Sequence, residues 1–232
     1  MNNGIEILST AELEPSLSKE TRAKGINIDI LPFIKTEPLQ NIEIQQEIET
    51  IAGLTATVVF TSMNAVEAVA EIIYDQQPIW NIYCTGSITE ALIRKLFPLS
   101  VVCGKGENAN ELALVILQDE PESEVTFFCG DRRRDELPNK LRDAGLEVNE
   151  IIVYQTILNP HRLEKQYAAI LFYSPSGVES FFSMNKIKEN TVLFAIGKTT
   201  ALSIQQHTSG RIIMPASPSK EMLVKEVIDF FT

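Results

Sequence analysis

Val58-Val59-Phe60-Thr61-Ser62-Met63-Asn64-Ala65-Val66-Glu67 returns later in the chain as Ile170-Leu171-Phe172-Tyr173-Ser174-Pro175-Ser176-Gly177-Val178-Glu179, with Ser62 matched to Ser174 at an offset of 174 − 62 = 112. Each copy is a short apolar run, a polar turn and the start of a stretch with helical period, the pattern of a parallel strand feeding a helix. Further units recur in the same order. Ile82-Tyr83-Cys84-Thr85-Gly86-Ser87-Ile88-Thr89 answers to Leu193-Phe194-Ala195-Ile196-Gly197-Lys198-Thr199-Thr200, and Asn110-Glu111-Leu112 to Glu221-Met222-Leu223, both at 193 − 82 = 111. Residues 5–39 match 126–158, with Gly25 on Gly145 and Thr36 on Thr156 at 145 − 25 = 120. Four units in one order at nearly constant offsets make an internal repeat, so two similar α/β lobes are expected, each a parallel sheet flanked by helices.

A length of 232 residues fits two small domains, and 44% apolar content is ample for two cores. Periodicity predicts strands over 4–8, 26–34, 57–60, 81–84, 101–103, 125–129, 147–154, 169–173, 192–196 and 211–214. Helices are expected over 65–74, 89–97, 110–117, 135–144, 178–184, 198–206 and 220–231. The stretches 26–39 and 146–158 are β-rich over more residues than an ordinary strand. Each could leave one lobe and enter the other, and periodicity alone leaves this swapped arrangement open beside two sequential domains.

With 20 basic and 31 acidic residues the net charge is −11, which argues against a nucleic-acid partner needing a basic face. The start, Met1-Asn2-Asn3-Gly4, has neither the charged nor the apolar region of a leader, and no run approaches the roughly 20 apolar residues of a membrane span, so a soluble, cytoplasmic protein is expected. Cys84, Cys103 and Cys129 are not closely spaced and the only histidines are His161 and His207. Neither a disulfide framework nor a zinc site is indicated, and each cysteine reads as a small buried apolar residue.

Open parallel sheets do chemistry at the carboxyl ends of their strands, where helix N-termini present free N–H groups. Small polar residues stand at nearly every such point here, among them Thr61, Ser62, Thr85, Ser87, Ser174, Ser176, Thr199 and Ser219. Singly, Ser, Thr and Asn there are ordinary helix caps; as two rows of loops they suit a polyanion. Gly197-Lys198-Thr199 is not a P-loop, because the glycine required five residues earlier falls at Val192. Gly104-Lys105-Gly106-Glu107-Asn108-Ala109 satisfies G-x-G-x-x-A, but its repeat counterpart, Pro215-Ala216-Ser217-Pro218, lacks glycine. Arg132-Arg133-Arg134 is the most basic spot, either a solvated turn or an anion contact.

Several stretches together resemble the uroporphyrinogen-III synthase family over nearly the whole chain. They are Phe60-Thr61-Ser62-Met63-Asn64-Ala65-Val66-Glu67-Ala68, Cys129-Gly130 followed by Arg134 and Leu137-Pro138, Ala144-Gly145, Val153-Tyr154-Gln155-Thr156, Phe172-Tyr173-Ser174-Pro175-Ser176-Gly177 and Ile196-Gly197-Lys198-Thr199-Thr200-Ala201. Lys198 stands where the family usually has proline, and Ser9-Thr10-Ala11 lacks the arginine and proline common after the first strand.

The resemblance implies the swapped fold: residues 1–32 with 157–232 as one lobe, 39–149 as the other, and 33–38 with 150–156 as a two-stranded connecting ladder, the active cleft lying between the lobes. It also implies the reaction, in which linear hydroxymethylbilane loses water, ring D is inverted through a spirocyclic intermediate, and the macrocycle closes as uroporphyrinogen III. The family uses neither metal nor organic cofactor. The substrate's pyrroles supply the carbanion equivalents, so the enzyme has mainly to orient the chain and exclude water. By family match Tyr154 is the proton donor to the departing ring A hydroxyl; a phenol, with an ordinary pKa of about 10, is protonated at neutral pH. Thr89 and Thr200 occupy matching places in the repeats and match family threonines, as contacts for carboxylate or leaving water, with helix capping as their bland role. Ser62, Arg134, Ser174, Ser176, Gly177, Lys198 and Thr199 complete the expected substrate-binding set, with Lys220 nearby, while Glu43, Glu47, Asp119, Glu120, Glu122 and Glu124 lie in helices and outer turns away from it. The expected partner is a small-molecule tetrapyrrole, with no nucleic acid and no membrane, and the protein is expected to be monomeric. The other class kept open is a non-catalytic two-lobed module that binds a small polyanion.

Overall fold

A computed structural model describes residues 4–119 and 124–232, so the expectations for Glu120 and Glu122 lie outside the described residues. The chain divides into two compact units, Met1–Lys35 with Ile157–Thr232, and Thr36–Thr156.

The first unit holds β1 (Ile5–Ser9), α1 (Pro15–Ala23), β2 (Ile26–Ile30), β9 (Ala169–Phe172), α7 (Pro175–Met184), β10 (Val192–Ala195), α8 (Lys198–Gln205), β11 (Ile212–Ile213) and α9 (Lys220–Phe231). Its strands form one parallel sheet in the order β11-β10-β9-β1-β2. Side chains alternate between the faces of a strand. Thus Ile7 and Leu171 pack with Leu223 and Val227 of α9, while Leu8 and Ile170 pack on the other side with Val178 and Phe181 of α7 and Ile204 of α8. Helices therefore cover both faces, as a parallel sheet requires.

The second unit holds α2 (Ile42–Ala52), β4 (Thr57–Phe60), α3 (Met63–Ile72), β5 (Asn81–Thr85), α4 (Ser87–Leu96), β6 (Val101–Gly106), α5 (Ala109–Gln118), β7 (Glu124–Gly130) and α6 (Glu136–Asp143). The strands β3 (Ile34–Pro38) and β8 (Glu147–Leu158) contain the points where the chain passes from one unit to the other. The sheet order is β3-β8-β7-β4-β5-β6. Without β3 it repeats the first sheet strand for strand: β6, β5, β4, β7 and β8 stand where β11, β10, β9, β1 and β2 stand. Trp80 is buried on the α2–α4 side of the sheet, donates its indole N–H to the Ile51 carbonyl at 3.0 Å, and packs on Phe97 and Phe128.

The repeat extends to turn chemistry. Gly25 and Gly145 end equivalent helices with φ of 77° and 93°, a left-handed backbone that strains any residue with a Cβ. Ser62 and Ser174 cap α3 and α7, accepting hydrogen bonds from the N–H groups of Asn64 and Gly177. The offset of 120 fails in one place. Leu8 pairs with Ile170 and Thr126 with Val58, so β1 maps onto β7 at 126 − 8 = 118. A slip of two residues keeps every side chain on its own face, so sequence patterning cannot detect it.

Two expectations need correction. The single strand over 26–34 is two strands, because Pro32 has no N–H for the ladder. Its neighbours Leu31 and Phe33 donate to the Ser9 and Thr10 carbonyls, and Phe33 is fully buried. Cys84 and Cys129 are buried, and burial pushes their thiols up to about 11 and about 12. Cys103, also expected inside, is exposed near the start of the edge strand β6.

Candidate active site

Tyr154 owes its orientation to a break in strand alternation. β7 and β8 pair in register up to Cys129 with Ile152, then shift so that Gly130 pairs with Tyr154 and Val153 is extra, a bulge of a kind rare between parallel strands. Ile151 and Val153 face the α2–α4 side and Ile152 the opposite side, so strict alternation would send Tyr154 with Ile152. The bulge returns Tyr154 to the same face as Val153, where its ring packs against the core and its phenol donates to the Ser62 hydroxyl at 3.2 Å. Ser62 in turn accepts from the Asn64 N–H at 3.2 Å, so the α3 cap and the phenol share one oxygen.

The ring lies directly on Gly130. A Cβ there would be 2.4 Å from Tyr154 Cζ and 2.7 Å from its hydroxyl oxygen, which makes Gly130 part of the site although only its missing side chain matters. Beside the phenol is an open cavity of about 150 Å³ lined by Thr36, Asn64, Glu67, Glu71 and Tyr154. Its carboxylates make this side of the tyrosine unsuited to an anion.

A second cavity of the same unit, about 290 Å³, is mixed in charge. Thr61, Thr85, Glu107, Asn108, Arg133 and Arg134 line it near the ends of β4, β5 and β7. Arg133 is engaged structurally, bonding Glu150 and, at 3.1 Å, Asp135. Glu150 also accepts from Arg142 at 2.8 Å. Burial works to raise the Glu150 carboxyl, but the hydrogen bonds from Arg133 and Arg142 outweigh it and hold the group below the usual carboxylate range. The arginine run thus divides its roles: Arg133 ties the turn after β7 to β8, and Arg134 is exposed at the cavity rim.

In the first unit, Ser174, Ser176 and Gly177 form the cap and first turn of α7, and Lys198, Thr199 and Thr200 the first turn of α8. Thr89 and Thr200 are both buried in the first turns of equivalent helices, at 200 − 89 = 111. Neither caps its helix; Gly86 and Gly197 hold the N-cap positions. Sequence reasoning missed Tyr173, whose hydroxyl accepts from Ser9 at 3.2 Å. Burial pushes its phenol well above the ordinary value. Lys220 lies over its ring at 5.6 Å while donating to the Glu12 carbonyl at 2.7 Å. The glycines of Gly104-Lys105-Gly106 serve packing: a Cβ on Gly104 would meet Val115 at 2.4 Å, and one on Gly106 the Leu112 nitrogen at 2.4 Å. Among the described residues no group of three or more His, Cys, Asp or Glu could hold a metal ion, and no helix is long and apolar enough to cross a membrane.

A repeated α/β chain with hydroxyl caps at its strand ends and a phenol turned onto one of them defines the class as a two-unit α/β protein with one parallel and one mixed sheet and polar strand-end loops. The family described as Uroporphyrinogen-III synthase HemD matches residues 15–225, and the chain belongs to that family. The chain is 29% identical over 157 residues to the uroporphyrinogen-III synthase of Saccharomyces cerevisiae, covering 59% of this chain and 56% of that protein, so it spans little more than half the length of this relative. It shares its fold with uroporphyrinogen-III synthetase from Helicobacter pylori, at 19% identity and a TM-score of 0.71 over 97% of this chain and 99% of the other. It also shares it with a mutant uroporphyrinogen III synthase from Thermus thermophilus, at 15% identity and a TM-score of 0.66 over 98% and 97%.

Proposed function

We propose that the chain is a uroporphyrinogen-III synthase, a cyclising hydro-lyase of the cytoplasm that acts as a monomer on hydroxymethylbilane. The ring A carbon–oxygen bond breaks and water leaves. The substituted carbon of ring D attacks the resulting azafulvene, and the spirocyclic intermediate opens and recloses as uroporphyrinogen III. The observation that carries this reading is the Tyr154 phenol held 3.2 Å from the Ser62 hydroxyl at a strand end, in a chain that matches the family from residue 15 to residue 225.

Tyr154 donates the proton to the departing hydroxyl, exchanging its bond to Ser62 for one to the leaving oxygen. Thr89 and Thr200 contact carboxylate or leaving water. Ser62, Arg134, Ser174, Ser176, Gly177, Lys198 and Thr199 bind carboxylates through hydroxyls, cations and helix N–H groups. The Arg134 cavity, not the acidic one beside Tyr154, suits a carboxylate. The protein contributes orientation more than reactivity, because the linear substrate closes unaided to the isomer with ring D uninverted.

The test is to supply freshly generated hydroxymethylbilane, oxidise the products and separate the uroporphyrin isomers. Isomer III in excess over isomer I is expected. Isomer I alone from folded protein would overturn the reading and favour a polyanion-binding module. Tyr154→Phe is expected to lower turnover strongly in a folded protein, and an unchanged rate would remove Tyr154 from the mechanism.

A further inference from the structure

The bulge that aims Tyr154 needs something to hold it, because β8 runs on to Leu158 while its neighbour β7 stops at Gly130. Beyond that point residues 155 and 156 keep β3 on one side but have no strand on the side that β7 occupied. On the far side, the Val153 carbonyl accepts from the Leu39 N–H at 2.9 Å. On the near side both contacts come from Asp131. Its backbone N–H donates to the Tyr154 carbonyl at 3.1 Å, and its carboxylate accepts the Thr156 N–H at 2.8 Å. In a continuing parallel ladder that second acceptor would be a backbone carbonyl. Here the chain is already turning away, with the Arg133 N–H on the Gly130 carbonyl at 3.2 Å, and the side chain supplies the missing acceptor.

We propose that Asp131 is a positioning residue for Tyr154, its carboxylate standing in for the absent ladder carbonyl so that the bulge at Val153 is kept and the phenol stays on Ser62. The inference rests on the reading of Tyr154 as proton donor. Asp131 is exposed, so its carboxylate is not needed to fill the core. What it fixes is the direction of one side chain, and small misplacements of a catalytic group are expensive in rate.

The experiment measures kcat and KM for isomer III formation by Asp131→Ala, Asp131→Glu and Asp131→Asn, with folding checked by circular dichroism and cooperative unfolding. Asp131→Asn keeps an acceptor oxygen in place without the charge; Asp131→Glu keeps the charge but moves the oxygens by a methylene. Asp131→Ala and Asp131→Glu are expected to lower kcat by about tenfold or more with KM little changed, and Asp131→Asn to hold kcat near wild type. The double variant Asp131→Ala with Tyr154→Phe is expected to be no slower than Tyr154→Phe alone, because both changes remove the same contribution. Wild-type kcat in Asp131→Glu, a rate loss in Asp131→Asn equal to that in Asp131→Ala, or multiplied losses in the double variant would each overturn the positioning role. If Asp131→Ala fails to fold, the Glu and Asn variants decide the matter. Tyr154→Phe at the wild-type rate would instead overturn the reading of Tyr154 on which the inference rests.

Discussion

Replacing Gly130 with alanine adds one methyl group beneath the Tyr154 ring, and the geometry sets the consequence. The new Cβ would stand 2.4 Å from Cζ, 2.7 Å from Cε2 and 2.7 Å from the hydroxyl oxygen. Carbon atoms rest at about 3.5 Å or more, so ring or strand must yield by about 1 Å. The phenol has little slack, since its bond to Ser62 is already 3.2 Å long and would be broken by such a shift. Overpacking of this kind destabilises by about 1–3 kcal/mol, and a displacement of about 1 Å at a catalytic group lowers turnover by up to roughly a hundredfold. The assay is isomer III formation at saturating and limiting hydroxymethylbilane, beside denaturant unfolding followed by fluorescence of the single tryptophan, Trp80, which lies in the same unit. Gly53→Ala is the control. Gly53 has φ of −81°, and a Cβ there would meet only carbonyl oxygens, the nearer at 3.5 Å, so rate and midpoint should stay close to wild type. Gly130→Ala with wild-type turnover and midpoint would refute both the close approach of the ring and its importance.

Three further outcomes are expected. Ser62→Ala and Ser174→Ala each remove a helix cap and should lower the unfolding free energy by about 1 kcal/mol in denaturant titrations; Ser62→Ala should also lower kcat, because it takes away the acceptor that orients Tyr154. Trp80→Ala, which empties a fully buried site and removes the indole hydrogen bond to the Ile51 carbonyl, should destabilise by about 3–5 kcal/mol, read by circular dichroism. Glu150→Gln tests the arginine clamp by pH. The folded-state carboxyl is held below the ordinary value of 4.5, so its stabilisation is fully present above that pH and is lost as pH falls through the folded-state value. The difference in thermal midpoint between wild type and Glu150→Gln should therefore be present at pH 7 and shrink below about pH 4.5; a difference independent of pH would refute the pairing.

Much of the fold was legible because it is written in local chemistry. β4 falls at its expected residues, Thr57–Phe60, and α9 at Lys220–Phe231, because apolar runs and hydroxyl caps act over a few neighbours. Ser62 and Ser174, 112 residues apart, cap helices at the same point of each sheet. The site was legible in part. Ser62 and Tyr154 do meet, whereas the Arg132-Arg133-Arg134 run conceals that Arg133 is spent on Glu150 and Asp135. Glu150 lies 17 residues from Arg133, and no local spacing marks the two as partners.

By itself, the order of residues determined that this chain is a repeated α/β protein, which turns carry its polar groups, and which family it joins. Those properties follow from backbone propensities and patterns that each segment carries wherever it is placed. Tertiary structure decided the face to which Tyr154 points, the need for glycine at position 130 and the task of Asp131. Alternation along β8 sends the tyrosine to the opposite face, and the bulge that reverses it lies in the pairing of β8 with the last two residues of β7, a relation between two segments that neither contains alone.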